Sequence, residues 1–272
     1  MDLQPDQRPA LWDDHVSSYE AVFEPLTSAF AAQAIDRLGI TTNERVIDIA
    51  AGCGAAAVML ADRGARVLAV DASVGMARRA RERLGGLHDR AGVAVMDGTR
   101  LAVADASLDA ALSVFGVVLF AGASAGVAEM ARVLRNGGRA AVVTWTEPER
   151  YELMAELLAA VRDVVPDFPP PPSPPAQLRY RDPEVFGNLL AQAGLRGIVI
   201  ERASAALVAC SPQWLADRMA FAPGMAALVG ALGARRNDVL EAFVRRLEAT
   251  QGSGPVRLEA VASIGIGRVT RR

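Results

Sequence analysis

Two acids and a glycine turn carry the most chemistry in this chain. Asp48 stands four residues ahead of Gly52 in VIDIAAGCGAAAVML, and Asp71 closes RVLAVD. A glycine turn between a strand and a helix lets the backbone approach a ligand closely. Gly52-Cys53-Gly54-Ala55-Ala56-Ala57 fits a loose G-x-G-x-x-A dinucleotide pattern, with Asp71 placed as a ribose-binding acid. Asp48 opposes that assignment. A carboxylate beside a bound pyrophosphate would repel two phosphate charges in a partly desolvated site. A ligand that carries positive charge and no phosphate turns the same acid into an attraction.

Other reactive side chains are few. The 29 basic residues are all arginine, so lysine mechanisms such as a Schiff base or a P-loop phosphate contact are excluded. His88 follows LGGL at the end of a basic helix and reads as a surface residue. His15 lies four residues before Tyr19, so on a regular helix the two share a face. Cys53 and Cys210 are too few for a disulfide scaffold or a structural zinc site, and no metal is expected. A reducing cytoplasm is the matching compartment.

The elements that must position these residues follow from pattern. RVIDIA, RVLAVD, GVAVMD, LDAALSVF and RAAVVTW read as strands. Between them AAAVMLADRG, ASVGMARRARERLGG and SAGVAEMARVLRNGG have apolar residues at helical spacing, each ended by a glycine. Such alternation predicts an α/β fold, a doubly wound and mostly parallel seven-stranded sheet with ligands at the C-terminal strand edge. The chain reads as one domain, with a core over 44–147. Residues 1–43 read as two lid helices, and 148–194 and 211–254 as inserts over the ligand edge. Asp182-Pro183 and Ser211-Pro212 supply helix caps and first turns. FPPPPSPP reads as a stiff loop, and GIVIERASAALVA and VRLEAVASIGIGRV as two further strands.

In order, these segments resemble the motifs of class I S-adenosylmethionine-dependent methyltransferases, small-molecule type, of the menaquinone/ubiquinone-biosynthesis group. VIDIAAGCG resembles the first motif and VLAVDAS the second. VMDGTRLAVADASLDAALSVFGVVLF resembles the segment through the fourth strand, and LRNGGRAAVVTW the fifth, with Asn136 where proline is commoner. WDDHVSSYEAVFEPL resembles the helix that closes over the cofactor. The resemblance implies S-adenosylmethionine as cofactor and S-adenosylhomocysteine as product. It implies that Gly52 and Gly54 admit the methionine portion, with Ala50 replacing a common glycine and Asp48 facing the cationic cofactor. Asp71 would then take the ribose hydroxyls, with Ala72 and Met76 beside the adenine. Asp97, Gly98 and Thr99 would read the adenine amino edge. Ser113 and Phe115 would line the sulfonium pocket, and Tyr19 would cover the methionine moiety.

The acceptor side is read from aromatic residues at the same edge. Trp12, Phe23, Phe115, Phe120 and Trp145, with Tyr180 on an insert, suit a flat or apolar small molecule, as secondary metabolism supplies. His15 and Tyr19 are the catalytic or acceptor-orienting candidates. A net charge of −2 and the sequence SVFG after the fourth strand argue against nucleic acid as substrate. No segment has the roughly 20 apolar residues of a membrane span, and the polar opening MDLQPDQRPALWDD is not a secretory leader. AFAPGMAALVGALG fits a lid helix or a surface for a second copy in a homodimer. Two alternatives stand beside the methyltransferase: an NAD(P)-dependent oxidoreductase, and an S-adenosylmethionine-binding protein without methyl transfer.

Overall fold

Seven strands make one sheet in the computed structural model, which describes residues 2–87 and 89–271; His88 lies outside the described residues. The strands are β1 (Arg45–Ile49), β2 (Arg66–Asp71), β3 (Ala91–Val95), β4 (Leu108–Val114), β5 (Leu134–Trp145), β6 (Leu195–Ala209) and β7 (Val256–Val269). Their order is β3-β2-β1-β4-β5-β7-β6. Strands β1 to β5 run parallel, and β7 pairs antiparallel with both β5 and β6. This is the expected Rossmann-like α/β architecture, closed at one edge by an antiparallel pair.

Side chains alternate between two cores, as the period of an extended chain requires. Val46, Leu112, Ala141 and Val143 join one core with the helices Glu24–Leu38 and Ala55–Asp62. Ile47, Ile49, Ala111 and Val142 join the other with the helices Ala123–Val133 and Pro183–Gln192. The central strands β1 and β4 are buried on both faces and read as mostly apolar runs, while β3 and β6 at the two edges carry exposed residues.

Asp182 caps the helix Pro183–Gln192, its Oδ1 accepting the N–H groups of Glu184 (2.8 Å) and Val185 (3.2 Å). Asp182→Ala removes that cap and is expected to cost about 1 kcal/mol. Thermal melting should show a fall of roughly 2–4 °C. Ser211 caps its own helix in the same way, accepting from Trp214 N–H.

Two local expectations give way. The helix Ala123–Val133 is not ended by its glycines: Leu134 pairs with Leu108 and begins β5, so Gly137 and Gly138 lie inside the strand at a shift of register. The segment ahead of β1 is not two regular helices. Residues 3–8 form a strap with one 3-10 turn, and residues 9–23 pass through α, 3-10 and π turns before the helix Glu24–Leu38. Pro25 explains the π turn. It has no N–H and its ring crowds the carbonyl four residues back, so the helix opens by one residue and Glu24 N–H bonds Tyr19 O.

Candidate active site

The C-terminal strand edge opens into a cavity of about 1450 Å³. Backbone strain marks its floor. Ala50 and Phe115, after β1 and β4, both have left-handed φ angles (56° and 58°). Gly116 must be glycine there, since a Cβ would overlap that of Ala50. These bends turn the chain away from the strands and leave backbone groups facing the cavity.

On one side lie Ala50, Gly52, Asp71, Ala72, Met76, Asp97, Gly98 and Thr99, which all line the cavity. Asp71 is held by two backbone donors, Gly52 N–H to Oδ2 and Ser73 N–H to Oδ1, each at 2.8 Å. Burial pushes its carboxyl above the usual range, against those two bonds. Each oxygen keeps a further lone pair for a ligand donor. Asp97 Oδ1 accepts Thr99 N–H and Oγ1 at 2.8 Å, leaving Oδ2 free of that turn. Tyr19 crosses over Gly52 and its hydroxyl pairs with Thr27 Oγ1 at 3.2 Å. Burial drives that phenol's pKa upward, so Tyr19 holds its proton at neutral pH and is not a base.

Asp48 stands just behind this wall. It is fully buried, its Oδ2 has no partner, and it borders a pocket of about 20 Å³ beside Tyr19, Thr27 and Ala50. Desolvation raises its pKa to about 7, with the charge of Asp71 adding to the rise. An orphaned carboxyl of this kind fits a cofactor with an ammonium and a sulfonium, and it opposes a pyrophosphate. The residues present therefore suit S-adenosylmethionine.

The cavity also has an aromatic lining, continuous with Tyr19. Phe115 stacks on Trp145 at 4.1 Å, and Trp145 stacks on Tyr151 at 4.8 Å with 10° between the planes. Phe23 stacks on Phe221 at 5.0 Å, and Trp12 meets Tyr19 edge to face at 5.9 Å. Phe120 also lines the cavity. Helix Pro223–Ala231 contributes Met225 and Leu228, so AFAPGMAALVGALG covers the cavity.

Several expected residues lie elsewhere. His15 is off the cavity wall, with a buried and unpartnered Nδ1; it ends a 3-10 turn and has non-helical dihedrals (φ −111°, ψ 3°), which breaks the regular spacing that put it beside Tyr19. Ser113 Oγ donates to Ile49 O (2.8 Å) and accepts Val117 N–H (2.9 Å), so it ties β1 to the loop after β4 and does not reach the cavity. Gly54 (φ 85°) starts the helix Ala55–Asp62 and makes room for Ala80, away from the cavity surface. Tyr180 packs on the second core, also off the wall. Cys53 is buried with its Sγ 3.5 Å from Met76 Sδ and a pKa pushed up to about 12, an inert turn residue. Among the described residues there is no metal-binding cluster and no helix long and apolar enough to cross a membrane.

Sequence reasoning missed Asp6, Thr27, Tyr151, Phe168, Phe221 and the prolines 169–172, all of which line the cavity. The prolines offered one unused signal: a segment without backbone N–H donors suits an apolar wall.

The strand order is that of a Rossmann-like sheet, and residues 46–138 match the family model described as a methyltransferase domain. The chain is similar to demethylmenaquinone methyltransferase of Beutenbergia cavernae, 36% identical over 152 residues that cover 54% of this chain and 62% of that one. It spans less than two thirds of the length of the curated relatives it matches. Among solved structures, Haemonchus contortus phosphoethanolamine N-methyltransferase 2 in complex with S-adenosyl-L-methionine has a TM-score of 0.60 at 17% identity, covering 97% of this chain and 59% of that one. The [4+2]-cyclase SpnF also scores 0.60, at 16% identity over 100% of this chain and 98% of its own. These two likenesses are of fold.

Proposed function

We propose that this chain transfers the methyl group of S-adenosylmethionine to a flat, largely apolar small molecule. The observation that carries the reading is one cavity lined by two unlike groups: Asp71, Asp97 and the Gly52 turn, and the Phe115–Trp145–Tyr151 stack. Gly52, Asp71, Asp97 and Tyr19 would hold the cofactor, with Asp48 behind them supplying negative charge. The cofactor supplies an electrophilic methyl group bound to a sulfonium. The protein's part is to align an acceptor against the aromatic lining and exclude water, effects worth ~7–11 kcal/mol in the best intramolecular models. A quinone-type ring, as the name of the Beutenbergia cavernae relative suggests, suits that stacked wall.

Calorimetry tests the reading. S-adenosylmethionine and S-adenosylhomocysteine should both bind, and reduced nicotinamide dinucleotide should not. Asp71→Ala should weaken S-adenosylhomocysteine roughly 10–100-fold, since it removes charge-assisted bonds to the ribose. Absence of binding by either sulfur compound sinks the reading. Binding without transfer of labelled methyl to a panel of hydroxyarenes would favour a protein that uses the cofactor for another purpose.

A further inference from the structure

We propose that Asp6, carried on the N-terminal strap, is a catalytic residue that accepts the proton given up by the methyl acceptor; this rests on the methyltransferase reading above. No histidine, lysine or cysteine lines the cavity among the described residues. Away from the cofactor wall, its carboxylates are Asp6 and Glu147, and Glu147 is tied to Arg202 at 2.7 Å. That pair uses Glu147 Oε1 alone, its Oε2 being buried without a partner, whereas Asp6 has no arginine partner among the described residues. Its Oδ1 accepts the Gly224 N–H at 2.7 Å, and no protein donor reaches its Oδ2.

The residue is placed from three directions. Trp12 Nε1 donates to the Asp6 carbonyl at 3.0 Å, which fixes the strap against the aromatic wall. Gln4 bonds Ser173 Oγ and Pro174 O and accepts Ala176 N–H, which fixes it to the proline loop. Gln7 Nε2 donates to Leu119 O at 2.9 Å. Gly224 completes the seat, because any Cβ there would overlap the carboxylate. The strap, docked by these bonds, places Asp6 on the cavity wall.

Burial raises the Asp6 pKa, opposed by the Gly224 bond and by His15, which makes the carboxylate a stronger base than an exposed one. The strap itself carries Arg8, whose Nε donates to Leu3 O, and His15 stands beyond it in the turn Asp13–His15. The covering helix Pro223–Ala231 has no titratable side chain, and Arg162 and Glu147 are the charged groups on the facing elements that line the cavity. In the step, a lone pair of the acceptor forms the new bond to the methyl carbon. The carbon–sulfur bond breaks with its pair going to sulfur. The acceptor's hydroxyl proton passes to Asp6 Oδ2 and then to solvent.

The probe is 1-naphthol, an ionisable flat hydroxyarene, titrated into the full chain with S-adenosylhomocysteine present and followed by quenching of Trp12 and Trp145. Asp6→Asn keeps an oxygen for the Gly224 N–H, so the strap stays docked while the base is lost. Asp6→Asn should bind S-adenosylhomocysteine within about twofold of wild type, and naphthol roughly tenfold more weakly at pH 8. Wild-type naphthol affinity should fall as acid protonates Asp6, and the variant should lose that dependence. In a carbon-13 carboxyl spectrum, the signal missing from Asp6→Asn should move when naphthol is added to wild type. A stationary Asp6 signal, equal naphthol affinity in the two proteins, or no naphthol quenching in wild type overturns the proposal. If Asp6→Ala and Asp6→Asn lose naphthol binding equally and with equal gains in protease cleavage of the strap, Asp6 is a latch alone and the proposal also falls. Loss of S-adenosylhomocysteine binding by wild type would strike the methyltransferase reading instead.

Discussion

Asp48→Asn is expected to melt at a higher temperature than wild type at pH 8 when ligand-free, yet to lose cofactor binding. The unfolded carboxyl titrates near 3.8 and the folded one near 7. The folded pKa is the raised one, so the folded state holds a proton that the unfolded state releases. Stability is therefore full below the unfolded pKa and is lost progressively as pH rises to about 7. At about 1.4 kcal/mol per unit, the loss from this one group approaches ~4 kcal/mol. Asn removes the titration but buries an amide with its own cost of about 1–3 kcal/mol. The net gain at pH 8 is ~1–3 kcal/mol, seen in a melt as a rise of several degrees. Cofactor affinity should fall by 10²-fold or more, because a buried charge loses its partner. Wild-type affinity for S-adenosylhomocysteine should also climb with pH toward 7, with about one proton released per binding event in calorimetry run in two buffers. A flat pH profile, or unimpaired binding by Asp48→Asn, would remove Asp48 from the site.

The same carboxyl shows what a sequence makes visible. Asp48, Gly52, Asp71 and Asp97 sit within a few residues of a strand end, so a local pattern is enough to place them at the ligand edge. Asp182 and Ser211 were legible for the same reason, since a cap needs only its next three residues. The acceptor wall is different. Asp6 meets Gly224 across 218 positions, and Trp145 meets Tyr151 through a bridge from Tyr151 to Ala260. Such contacts have no period to betray them. His15 was misplaced by a regular-helix assumption that fails at His15 itself, which ends a 3-10 turn and leaves helical geometry (φ −111°, ψ 3°). Ser113 was misplaced because a buried hydroxyl that ties two backbones looks, in sequence, like one that faces a ligand.

Trp145 is where packing and chemistry meet. Its ring stacks on Phe115 and Tyr151 and also meets Phe30 edge to face at 6.0 Å and Phe23 at 6.0 Å. It is nearly buried at the end of β5, where its backbone pairs with Ala262 of β7. Trp145→Ala empties the centre of that cluster and is expected to cost ~3–5 kcal/mol. In a chain of this size the melting temperature should fall on the order of 10 °C. Stability loss alone would not separate a core residue from an acceptor wall, so Trp145→Phe is the second arm. Phe keeps most of the apolar contact and one ring plane, and its stability cost should be well under that of Ala. S-adenosylhomocysteine affinity should be unchanged in Trp145→Phe, since its wall is the Asp71 and Asp97 side. Binding of 1-naphthol, read from the fluorescence of the remaining Trp12 and Trp214, should weaken several-fold because the smaller ring leaves the Phe115 and Tyr151 rings that line the cavity less firmly held. A Trp145→Phe protein that loses the sulfur ligand and keeps naphthol would reverse the two linings, and with them the assignment of cofactor and acceptor.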